Sequence, residues 1–226
     1  MMEPSAIVFA NMGKFRGVSK GLFPIAGKPM IEYVLNSIPD EVSDILIAVE
    51  DEENVSEYQD LADQYLAKVV VSGSRIGNFR KDIEFAVNSI KGDRFLVLPC
   101  DAPLITMEFT KFLVDASQKF PAVLPRTPSR RVSYLTASYQ KKPLEEVFKS
   151  SPDLGMEEVI RKLKGAVYLS SNSLKIFDEK LNMFFRVSCK ADVDKVRALL
   201  TKYKRSPGFN PRTPCIRRRK REKWKV

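Results

Sequence analysis

The sequence predicts a three-layer α/β domain with a mainly parallel, Rossmann-like sheet. Short runs suited to buried strands recur at Ala6–Ala10, Asp44–Val49, Lys68–Val71 and Arg94–Pro99. Between them, apolar residues repeat at helical spacing: Ile31, Val34 and Leu35, then Phe79, Ile83, Ala86, Val87 and Ile90. The loops that follow the strands carry glycine, small and charged residues, as expected where ligands meet the carboxyl edge of an open sheet.

Composition bounds the chemistry. A chain of 226 residues can bury one full core. No apolar run reaches bilayer-spanning length, and Met1-Met2-Glu3-Pro4 does not begin a signal peptide, so a cytoplasmic location without membrane contact is expected. Cys100, Cys189 and Cys215 are odd in number and far apart, which points away from a disulfide framework or a zinc ribbon. The chain has no histidine. That removes Ser-His-Asp and Cys-His catalysis and histidine metal sites, leaving carboxylates, cations, backbone and metal. The net charge of +10 is a tail property: residues 202–226 hold 11 basic residues and one acidic, so the remainder is neutral. Residues 1–203 are therefore read as the domain, and 204–226 as a basic, disordered tail able to touch an acidic partner or nucleic acid.

The stretch from Ala6 to Met30 organises the chain. Strand Ala6–Ala10 breaks into a loop with Gly13, Gly17, Lys14, Arg16 and Lys20, and Pro29 suits the first position of a following helix. Backbone N–H groups in such a loop approach anions closely, and fixed cations add charge. No standard phosphate motif fits. Gly21 to Gly27 is one residue too long for a Walker loop, with Pro29 where its hydroxyl belongs, and G-x-G-x-x-G is absent. On residue types alone, a structural turn and an anion cradle are equally open.

Detailed resemblance decides between them. Gly17-Val18-Ser19-Lys20-Gly21-Leu22 followed by Gly27-Lys28-Pro29-Met30 resembles the signature of the nucleotidyltransferases that guanylylate molybdenum cofactor. Phe95 to Pro103, ending in Cys100-Asp101-Ala102-Pro103, is similar to that family's strand and C-D-x-P turn. A weaker match, Phe185 to Val193, stands where the family has N-V-N-T-P-E-D-L, its asparagines falling on Arg186 and Ser188. The family's paired glycines after the first strand are here Asn11 and Met12, where a side chain can stand in the way of a phosphate.

The resemblance implies a fold of the nucleotide-diphospho-sugar transferase type and the transfer of GMP from GTP to molybdopterin. It implies nucleotide binding by Ala10, Asn11, Met12, Gly13, Lys14, Lys20, Ser72, Gly73 and Asp101, and catalysis by Arg16, Lys20 and Asp101. Asp101 is the expected ligand of Mg²⁺, the plain alternative being an aspartate bonded to its own turn. Lys28, Arg130 and Arg131 are the acceptor-side candidates, solvated loop charge being the commoner outcome for such arginines. Sister activities toward a cobinamide phosphate or a sugar phosphate stay open, as does a non-catalytic nucleotide-binding regulator.

The rest of the chain fills the frame. The acidic run Glu50–Glu53 reads as a loop, with Glu50 or Asp51 either meeting a guanine base or merely solvated. A helix over Glu57–Leu66 precedes the third strand, and Asn78 caps the helix after Ser72–Gly77. Thr106 caps a helix with Phe109, Leu113 and Ala116 on one face. Ala122–Leu124, Val132–Tyr139, Ala166–Leu169 and Phe184–Val187 read as strands, and helices are expected at Met156–Leu163 and Asp192–Leu200.

Overall fold

The structure, a computed structural model, describes residues 3–205. A seven-stranded sheet runs through it, built from β1 (Ser5–Phe9), β6 (Asp44–Val49), β7 (Ala67–Val71), β8 (Arg94–Pro99), β9 (Ala122–Pro125), β10 (Ala137–Gln140) and β11 (Val167–Leu169) in the order β11-β9-β10-β8-β1-β6-β7. Between β1 and β6 lie the small strands β2 (Lys14–Phe15), β3 (Val18–Ser19), β4 (Pro24–Ile25) and β5 (Lys28–Pro29). β1 pairs in parallel with β6 on one side and β8 on the other, with Phe9 opposite both Ala48 and Pro99. β10 is the antiparallel member, running against β8 and β9. The carboxyl ends of β1, β6, β7, β8 and β9 therefore share one rim.

Every residue of β1 is buried, as befits a strand covered on both faces. Its alternation divides the core. Ala6 and Val8 face the layer of α1 (Met30–Leu35), α2 (Glu52–Tyr65) and α4 (Met107–Ala116), joined through Ile31, Val34, Tyr58, Leu61, Phe109 and Leu113. Ile7 and Phe9 face α3 (Phe79–Ser89), α5 (Lys141–Ser150) and α6 (Met156–Lys162), through Ile83, Val87, Leu144, Phe148 and Val159. These are the three expected layers. A satellite cluster of Ile25, Met30, Leu104, Val187, Val193 and Val196 docks α7 (Lys190–Arg205) beside the entry to α1.

Caps fall where the residue types ask for them. Asn78 accepts from Lys81 N at 3.2 Å and Thr106 from Phe109 N at 3.3 Å. Four readings of the sequence are corrected. The acidic run is not all loop: Asp51 caps α2, accepting from Asn54 N at 3.0 Å, and Glu52 and Glu53 form the first turn. The strand expected over Val132–Tyr139 is confined to Ala137–Gln140, with a single bridge from Val132 to Arg126. Helix α5 was not anticipated. Phe184–Val187 is no strand: a 3₁₀ turn over Asn182–Phe184 leads into an extended strap whose backbone is tied to the turn after β8, Val187 N donating to Asp101 O at 2.9 Å.

Helix α7 continues to Arg205, past the boundary expected at 203, and the polybasic tail from 206 on lies outside the described residues. No helix among the described residues is long and apolar enough to cross a membrane.

Candidate functional site

The chain runs outward from β1 through β6 to β7 and returns to β8 on the other side of β1. The crevice outside β1 and β8 is therefore the topological switch point, where open α/β sheets place ligands. Two segments enter it. The one after β1 folds into paired hairpins, β2–β3 and β4–β5, each closed by two residues of positive φ: Arg16 (52°) with Gly17 (81°), and Ala26 (50°) with Gly27 (87°). Such two-residue turns match the twist of the strands they join. Between the hairpins, a 3₁₀ turn over Lys20–Leu22 carries Lys20, whose amide donates to Gly13 O at 3.0 Å. The other segment is the end of β8.

These segments meet at Asp101. Its side chain is 2 % exposed, and Lys20 Nζ donates to its Oδ2 at 2.6 Å. The strap brings a third group: Arg186 Nε donates to Asp101 Oδ1, while its Nη2 donates to Met12 Sδ at 3.3 Å. A buried carboxylate thus holds an ammonium and a guanidinium side by side. The three come from positions 20, 101 and 186, so only the fold assembles them.

Asn11 and Met12, in place of the paired glycines, turn their side chains to different partners. Asn11 is buried, and its Nδ2 donates to Ser72 Oγ at 2.9 Å and Ser74 O at 2.8 Å, stitching the loop after β1 to the loop after β7. Its Oδ1 is buried without a partner among the described residues. Met12 supplies the sulfur beside Arg186. Gly13 holds φ at 76°, and a Cβ there would come 3.3 Å from the Arg75 guanidinium, which lies over the turn. Arg75 Nε donates to Glu50 Oε2 at 3.0 Å and Oε1 at 3.2 Å, so the acid considered for base contact is engaged by a cation.

The remaining expected residues are dispersed along the same rim. Ala10 is buried at the end of β1, its amide donating to Ala48 O at 2.8 Å. Ser72 Oγ lies 2.8 Å from Val49 O, and Gly73 takes a φ of 72°. Lys14 and Arg16 are exposed on the first hairpin, without an ion pair among the described residues. Lys28 pairs with Glu32 at 2.7 Å along the start of α1. Arg130 and Arg131 are exposed in the β9–β10 connection, where Arg126 stacks 5.1 Å from the Tyr168 ring centre. Burial pushes the Cys100 thiol up and the neighbouring Asp101 charge adds to it, so Cys100 is a packed side chain and no nucleophile.

Sequence reasoning left Arg186 and Arg75 outside the set of site residues. The signal for Arg186 was present, a cation where the resembled pattern has an asparagine. Its contact across 85 positions was not.

A divalent cation needs oxygen ligands, commonly one or two carboxylates with substrate phosphates. Asp101 has each oxygen bonded to a cationic side chain. An ion approaching Asp101 would meet the ammonium or guanidinium first. As arranged, these residues do not fit a resident Mg²⁺.

Known proteins resemble this chain in sequence and in fold. A relative from Thermococcus kodakarensis, named a probable molybdenum cofactor guanylyltransferase, is 28% identical over 203 residues, covering 87% of this chain and 95% of its own length. One of the same name from Methanothermobacter thermautotrophicus is 30% identical over 111 residues, 48% of this chain, and this chain spans about half, 54%, of that relative. Molybdopterin-guanine dinucleotide biosynthesis protein A from Archaeoglobus fulgidus has the same fold, with a TM-score of 0.67 at 20% identity over 88% of this chain and 99% of its own. A CMP:2-keto-3-deoxy-manno-octonic acid synthetase complexed with CTP superposes with a TM-score of 0.64 at 15% identity, over 88% of this chain and 99% of that one. The MobA-like NTP transferase domain description matches residues 11–167, from the buried asparagine after β1 to the start of β11, and the chain belongs to that family.

Proposed function

We propose that the chain transfers GMP from GTP to the phosphate of a molybdopterin-type acceptor and releases pyrophosphate. The observation that carries this reading is the Lys20–Asp101 pair, 2.6 Å across the mouth of the β1/β8 crevice with Arg186 beside it. Relatives named for molybdenum cofactor guanylyl transfer support the choice of donor and acceptor.

An oxygen of the acceptor phosphate, already ionised, attacks the α-phosphorus. The new O–P bond forms as the bond to the bridging α–β oxygen breaks, and pyrophosphate leaves with that electron pair. No protein base is required, in keeping with a chain that lacks histidine. Lys20 and Arg186 hold the charge that builds on the phosphoryl oxygens, and Asp101 keeps both cations aimed from a site shielded from water. Arg16 and Lys14, exposed on the first hairpin, serve the triphosphate. Arg130 and Arg131, on the rim past β9, serve the acceptor.

Pyrophosphate release with four nucleoside triphosphates against molybdopterin, a cobinamide phosphate and a sugar phosphate tests the proposal. Release with GTP and molybdopterin alone is the expected result. Release with another acceptor moves the assignment to a sister enzyme. Nucleotide binding without release by any acceptor favours a regulator, a reading to which the full engagement of Asp101 lends weight.

A further inference from the structure

We infer that Arg186 supplies at this site the charge a divalent cation would bring, so that the chain binds a nucleoside triphosphate without a metal. The inference rests on the nucleotide-binding half of the function proposed above.

The guanidinium is delivered by a fixed backbone. Val187 N donates to Asp101 O at 2.9 Å, Phe185 N donates to Asn182 O at 2.8 Å, and the Val187 side chain is buried among Ile25, Met30, Val193 and Val196. Arg186 is therefore clamped to the very residue whose carboxylate it pairs with. It spends one donor on Asp101 and one on Met12 Sδ, and a guanidinium has five. The side chain remains 36% exposed, so donors are left for a phosphate in the geometry that arginine matches best. Lys20, 17% exposed, likewise spends one of three donors on Asp101.

Charge points the same way. Two cations and one carboxylate leave the cluster positive with no ion present. A dication placed on Asp101 would have to displace one of its partners or stand against both, beside a carboxylate only 2% exposed. A polyanion meets no such obstacle, since it can bond the outward donors while the ion pairs stay closed.

The test is calorimetric titration of GTP into the full chain, once in excess EDTA and once in excess Mg²⁺. The wild type is expected to bind in both, with affinities within about threefold of each other. Arg186→Met is expected to lose about tenfold or more in EDTA, the scale of one charge-assisted hydrogen bond, and to regain much of it in Mg²⁺ because an Asp101 oxygen is freed. Arg186→Lys, which keeps the charge and loses the fork, should fall between them and serves if the methionine variant does not fold. Wild-type binding that needs Mg²⁺ overturns the inference and leaves the transferase reading standing. So does Arg186→Met binding as tightly as wild type in EDTA. Absence of GTP binding in both buffers overturns the inference together with the reading beneath it.

Discussion

Asp101→Asn isolates what the central carboxylate does for the protein. The amide keeps the shape and removes the charge, leaving Lys20 and Arg186 close together without their shared partner. Removing one member of a fully buried ion pair costs about 3–5 kcal/mol, because the other charge is left unpaired. Here the side chains of Lys20 and Arg186 are 17% and 36% exposed, so water takes up part of both orphaned charges. A loss of about 2 kcal/mol is the expectation, below the range for a fully buried pair because both orphaned charges reach water. In a domain of this size each kcal/mol moves the Tm by roughly 2–4 °C, which gives a fall of about 4–8 °C. Thermal unfolding followed by circular dichroism reads it, with the native spectrum preserved at 25 °C or so. Pyrophosphate release should disappear in the same variant, since its two cations lose their aim. A Tm within about 1 °C of wild type would refute the energetic argument, for it would mean the ion pairs do not hold in solution. Retained turnover would remove Asp101 from the mechanism.

Two further outcomes follow from packing and capping. A Cβ on Gly21 would stand 2.7 Å from the Tyr58 hydroxyl and 3.3 Å from Cys100 Cβ, so Gly21→Ala should cost about 1–3 kcal/mol by overpacking. Tyr58→Phe removes the atom that this Cβ would meet first and should rescue much of the Gly21→Ala loss; urea melts of the double-mutant cycle check both. Asp192 accepts from Ser188 N at 2.8 Å and Cys189 N at 3.0 Å, the acid half of a capping box for α7, and these bonds hold its carboxyl below the usual carboxylate range. A lowered folded-state value means the contribution is complete above the ordinary value and lost as pH falls through the folded one. Asp192→Ala should therefore cost about 1 kcal/mol at neutral pH, with the difference vanishing in strong acid; equal penalties at both pH values would refute it.

Local pattern explains the elements that could be read in advance. β1, β6 and β8 are runs of apolar, largely β-branched residues at the sheet centre, where burial on both faces permits little else; β7, at the sheet edge and only partly buried, was legible from its run of valines. Asn78 and Thr106 were legible as caps because a side-chain oxygen before a periodic stretch has one obvious partner. Helix α5 escaped notice because it buries only Leu144 and Phe148, four positions apart, under a first turn of Lys141-Lys142-Pro143. Phe184–Val187 has the composition of a strand and lacks a neighbour to pair with. It crosses the end of β8 instead, and that displacement is what brings Arg186 to the site.

The sequence by itself determined the fold class, the rim on which a ligand would sit, and two of the three central groups, Lys20 and Asp101. The first two follow from local periodicity, and Lys20 and Asp101 from the family resemblance carried by the glycine turn and by Cys100-Asp101-Ala102-Pro103. Only the tertiary structure decided that Asp101 is held from both sides, by Lys20 from 81 positions away and Arg186 from 85. Contacts at that separation depend on strand order and on where a strap is pinned, and no local pattern encodes either.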